Sequence, residues 1–129
     1  MTLALRAAAF VAVAFGVLTL SSGARVLFGD GAAAAGHYVP FIVWFNFVAG
    51  FAYVAAGVGL WLRRRWSAIV ATALAVLTAA AFAALGLYIA GGGAYEMRTI
   101  GAMTLRTLVW MAIAALAWRA LKPSPPAEA

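Results

Sequence analysis

The sequence predicts an all-α fold: a polytopic membrane bundle of four helices with both termini on the cytoplasmic side. Three observations carry this expectation. Hydrophobic residues make up 67% of the 129-residue chain and charged residues only 9%, against about 25% charged in soluble domains. Uncharged stretches approaching or exceeding the ~20 residues a helix needs to cross a bilayer recur along the chain. The basic residues, which give a formal net charge of +6, mostly flank those stretches, where they orient spans. One transmembrane domain is expected over 1–122, with spans at about 4–24, 39–62, 66–88 and 99–120.

The first uncharged run lies between Arg6 and Arg25. It is longer than the 7–15 residues of a signal-peptide core, so it reads as a retained span. Ala12, Gly16, Thr19 and Gly23 recur at spacings of three or four and give it a small-residue face for close packing. Gly29-Asp30-Gly31 signals a turn, and the alanines after it read as a short interfacial helix or a loop.

Pro40 suits the first turn of the second span, where a missing N–H costs nothing. Inside that span Asn46 is the one strongly polar side chain, and Arg63-Arg64-Arg65 ends it. The third span starts at Trp66 with a ladder of small residues at i,i+4 spacing: Ser67, Ala71, Ala75, Ala79 and Ala83. Gly91-Gly92-Gly93 closes it. The tail 123–129 is polar and Pro-rich and is expected to be disordered.

The fourth span poses the problem. Its uncharged run between Arg106 and Arg119 holds too few residues to cross a bilayer, so either there is no last span or it begins near Thr99 and carries Arg106 inside the membrane, and the second reading is preferred. With four spans, Arg6, Arg63, Arg64, Arg65, Arg119 and Lys122 share one side and Arg25 and Arg98 the other, which places both termini in the cytoplasm. Asn46 and Arg106 then lie at similar depth in the outer half. Glu96, Arg98, Thr99 and His37 sit above them, and Trp44 and Trp110 are candidate apolar walls. Arg106 and Trp110 form an i,i+4 pair within reach of a cation–π contact, and Glu96 is placed to pair with Arg98 or Arg106.

An ionisable residue inside a span is a functional-site candidate by default. Polar groups there also serve simply to hydrogen-bond helices together, and both readings stand for Arg106 and Asn46. A lone interfacial His37 and a surface Glu96 beside Arg98 carry little on their own. Cysteine is absent and there are only one His and three carboxylates. That leaves no material for a thiolate site and too few ligands for a self-contained metal centre, and it equips the chain poorly for catalysis on its own. No catalytic residue, metal or cofactor is expected from the residues. No basic patch interleaved with aromatics points to nucleic acid.

The run LRAAAFVAVAFGVLTLSSGARVLFG and the run FNFVAGFAYVAAGVGLWLRRRWSAIVATAL resemble DoxX-like proteins, a group of small four-helix bacterial membrane proteins. The resemblance implies a bacterial inner-membrane location, association as a subunit with thiol or sulfur oxidoreduction, and quinone as a cofactor. Where such proteins often carry a Glu in the second span, this chain has Asn46. The expected function is a non-enzymatic subunit or assembly partner of a membrane complex, with the lipid bilayer, further copies or other membrane subunits as partners. The alternative is a site for a quinone or an anionic solute in the outer half, and a third is an oligomeric transporter.

Overall fold

A computed structural model describes residues 3–121, and among them every regular element is helical. Four long helices, α1 (Leu3–Phe28), α3 (Pro40–Trp61), α4 (Trp66–Ala90) and α5 (Met97–Ala120), are joined in order, with a one-turn helix α2 (Ala32–Ala35) between the first two. The expected disordered tail 123–129, and Lys122 before it, lie outside the described residues.

Local chemistry sets the ends. Val39 is extended and Pro40 opens α3, where its fixed φ and missing N–H fit the first helical turn. The turn into α4 is made by Leu62 to Arg65, with Arg63 in the left-handed region at φ 56°. At the α4–α5 junction Gly92 takes φ 90°, a conformation open to glycine without strain. Glu96 is extended, and its carbonyl accepts the Thr99 N–H at 3.0 Å. α5 therefore begins two residues before Thr99.

All four long helices have the length and hydropathy to cross a membrane, and only about a third of each apolar window is buried inside the bundle. The remainder carries large apolar side chains outward, among them Phe10, Leu18, Phe51, Leu77 and Met111. These features fit an integral multi-pass membrane protein whose outer surface is solvated by lipid.

The helices form an incomplete ring. α1 packs closely on α3, α3 on α4, and α4 on α5, whereas α1 and α5 meet sparsely. The α1–α3 seam is built on glycine. A Cβ at Gly16 would lie 2.9 Å from the Gly50 carbonyl oxygen, and one at Gly57 would lie 2.9 Å from that of Ala9. Ala12, Gly16, Thr19 and Gly23 are all buried, as the spacing predicts. The α4 ladder behaves differently, because Ser67, Ala71 and Ala75 are buried while Ala79 and Ala83 are exposed. A strict four-residue step overshoots a 3.6-residue turn by about 40° each time, so the buried face passes instead to Thr78 and Leu85.

At the end holding the three-arginine turn, Arg63 Nη2 donates to the Ala120 carbonyl at 3.4 Å and the Arg65 guanidinium lies 6.0 Å from the Trp118 ring. The α3–α4 turn and the C-terminus of α5 thus share an end. The opposite end is closed by the His37 N–H donating to Glu96 Oε1 at 3.0 Å. That bond ties the segment before α3 to the start of α5.

Candidate functional site

Arg106 lies nine residues into α5, close to the helix midpoint, or about 13 Å from its N-terminal end at 1.5 Å per residue. Thr19 lies nine residues from the C-terminal end of α1, so the two reach the same level. Arg106 Nη1 donates to Thr19 Oγ1 at 2.8 Å, and the guanidinium sits over Phe15, 5.4 Å from the ring centroid. These contacts bridge the sparse α1–α5 seam.

A guanidinium has five N–H donors. Among the described residues the Thr19 bond is the one hydrogen bond Arg106 makes, no carboxylate pairs with it, and its Nε is buried without a partner. Asn46 is six residues into α3, spends neither end of its amide on a described residue, and has a buried, unpartnered Oδ1. Arg106, Asn46, Thr19 and Ser22 line one cavity of about 120 Å³ with Gly23, Val26 and Val43. A second cavity, of about 220 Å³, shares Val26, Val43 and Asn46 with it and runs outward to Glu96, Arg98 and Thr99. Because the walls are shared, the two form one cleft between α1, α3 and α5, with its floor near the bundle centre and its mouth at the end closed by the His37–Glu96 bond.

Asn46, Glu96, Arg98, Thr99 and Arg106 thus meet around one cleft. His37 touches it indirectly, through the backbone bond that holds Glu96. The Glu96 carboxylate accepts at the mouth from the His37 N–H, ten residues before Arg106 and at the N-cap of α5. The remaining two residues lie elsewhere. Trp44 is 47% exposed and packs edge-on against Phe28 and Phe47 on the outside of the α1–α3 pair. Trp110 is fully buried one turn below Arg106 and stacks on Tyr53 at 4.7 Å and 29°. Phe15, contributed by α1, takes the cation–π position that the i,i+4 spacing offered to Trp110.

Two nearby hydroxyls are spent locally, since Thr104 donates to the Ile100 carbonyl at 2.8 Å and Thr107 to that of Met103 at 2.7 Å. Below the cleft, Tyr53 Oη, Thr78 Oγ1 and Trp110 Nε1 are buried with no partner. Sequence reasoning missed Thr19 and Phe15 as partners of Arg106 and took Thr19 only as a packing residue. Counting residues inward from the outer ends of α1 and α5 would have aligned Thr19 with Arg106.

Chemically, the cleft offers a cation with unused donors, an amide with both functions free and apolar walls. Among the described residues no cluster of three or more His, Cys, Asp or Glu is placed to hold a metal ion. Comparison with family models, curated proteins and solved structures returns no match for this chain.

Proposed function

We propose that this membrane protein binds a small anionic molecule in the outer-half cleft and acts as a binding component rather than as an enzyme in its own right. One observation carries the reading. Arg106 lines a cavity near the bundle centre with one hydrogen bond among the described residues and no carboxylate partner. A charge at that depth costs about 2.5–3.5 kcal/mol on insertion scales, and an anion entering from the outer face would offset that cost through charge-assisted bonds. Asn46 adds a neutral donor and acceptor beside it. The orientation used here, with both termini cytoplasmic, rests on the Lys/Arg count. A bacterial inner membrane and a quinone as the ligand rest on the DoxX-like resemblance alone.

The test is thermal unfolding of the wild type and Arg106→Gln in nanodiscs of neutral lipid, with chloride, acetate and phosphate as probes. At least one anion should raise the wild-type midpoint, and the effect should vanish in the variant. Indifference of the wild type to every anion would remove the reading.

A second reading, as a subunit of a larger membrane assembly, is favoured by the inner half of the α1–α5 seam. There an apolar groove of about 390 Å³ runs between Ala8 and Val11 on α1 and Ile113 and Leu116 on α5. Cross-linking in intact membranes distinguishes the two, since a solitary chain would leave the groove to lipid.

A further inference from the structure

We infer that the cleft selects a compact monoanionic acid with an apolar body, such as a carboxylic acid on a saturated ring, over a hydrophilic inorganic anion. The inference rests on the reading of the cleft as an anion site and specifies its ligand class.

The polar groups are divided between two ends. Arg106, Asn46 and Thr19 form the floor, and Glu96, Arg98 and Thr99 form the mouth. Between them the walls are Val26, Val39, Ile42, Val43 and Ala102, with Tyr38 beside them. Arg106 and Arg98 are eight residues apart on α5, or about 12 Å along the helix, and they line different cavities, so a small ion at the floor lies against Arg106. An anion there meets a single positive charge.

That charge count favours a monoanion. A phosphate dianion would carry one charge uncompensated into a site walled by valine and isoleucine, where an unpaired charge is strongly disfavoured. It would also give up more of its hydration than the few floor donors replace. A carboxylate is planar and singly charged, and it matches the guanidinium fork with two parallel N–H···O bonds. The Asn46 amide and the Thr19 hydroxyl flank that position.

The walls supply the second requirement. A ligand held only at the floor would leave the apolar wall surface uncovered, whereas a ligand with an apolar body covers it. Cavities of about 120 and 220 Å³ are each smaller than the roughly 300–1,000 Å³ of ordinary small-molecule sites. A single ring suits them better than a long chain. Each buried methylene strengthens binding several-fold, so a six-membered ring with even part of its surface covered should improve on acetate by about tenfold or more.

The experiment uses the full-length protein in neutral-lipid nanodiscs. Midpoints of thermal unfolding are followed by tryptophan fluorescence with acetate, phosphate, cyclohexanecarboxylate and the neutral analogue cyclohexylmethanol. Cyclohexanecarboxylate should stabilise the wild type at about a tenth of the acetate concentration or less, with no effect of cyclohexylmethanol, which controls for partition into lipid. Arg106→Gln should lose the response to both acids. Ala102→Leu, which adds bulk to the outer wall, should remove the ring acid's advantage over acetate. Equal potency of acetate and cyclohexanecarboxylate, or a stronger effect of phosphate, would overturn the ligand class while leaving an anion site in place. An equal response in wild type and Arg106→Gln, or none to any anion, would overturn both.

Discussion

Replacing Arg106 by methionine separates a binding residue from a structural tie. The substitution removes a charge-assisted bond to Thr19 Oγ1 at 2.8 Å, worth about 1.5–3 kcal/mol, and a cation–π contact at 5.4 Å, worth roughly 0.5–2 kcal/mol. Against this, it relieves the burial of a guanidinium that meets no carboxylate among the described residues, and it ends the stranding of Nε. That relief is about 2.5–3.5 kcal/mol on insertion scales, part of which is shared by the unfolded, still-inserted chain. The opposing contributions are of similar size, so Arg106→Met should stay within about 1 kcal/mol of wild type. Thr19→Val alone should be worse, losing about 1–3 kcal/mol because it strands the charge. The double variant should recover part of that loss. The assay is reversible unfolding by SDS titration in mixed micelles, followed by circular dichroism. A loss above about 3 kcal/mol in Arg106→Met, or a double variant less stable than Thr19→Val, would refute the reasoning and make Arg106 a structural tie.

Other consequences can be checked with the same preparation. Tyr53 Oη is buried without a partner while its ring stacks on Trp110. Tyr53→Phe should therefore stabilise by about 1 kcal/mol, and a loss of that size would reveal a hidden hydrogen bond. Gly57→Ala would push a Cβ to 2.9 Å from the Ala9 carbonyl oxygen and should cost about 1–3 kcal/mol through separation of α1 from α3; an unchanged SDS midpoint would contradict the close seam. Because the chain lacks cysteine, single substitutions report sidedness directly. An impermeant maleimide should label Asp30→Cys in intact cells and Arg64→Cys only after permeabilisation, and the reverse pattern would invert the orientation.

The helices were legible in the sequence because their cause is local. Long uncharged runs, Pro40 at a helix start and the glycines at 91–93 act through hydropathy and backbone freedom within a few residues of themselves. The α1 packing stripe was legible for the same reason, since its spacing alternates three and four and so stays on one face. The α4 ladder misled because a constant step of four drifts off the face, leaving Ala79 and Ala83 exposed. The gathering of Asn46, Glu96, Arg98, Thr99 and Arg106 at one end followed from topology. Their partners did not, because whether Arg106 meets Thr19 and Phe15 or Trp110 depends on which helices are neighbours and how each is rotated. Trp44 shows the same limit: its depth suits the cleft, but its helix turns it outward.

The unequal seams have a consequence for motion. α1 and α3 are locked by carbonyls against glycines, and α4 and α5 pack closely, whereas α1 and α5 meet sparsely, with the Arg106–Thr19 hydrogen bond and the Phe15 contact between them. The α1–α5 seam is the sparsest of the ring, and Arg106 spans it. A ligand that engages Arg106 would use donors that the Thr19 bond leaves free, so occupancy and the α1–α5 contact are coupled through a single side chain. Relaxation on the microsecond-to-millisecond scale of collective motions is where that coupling would be read.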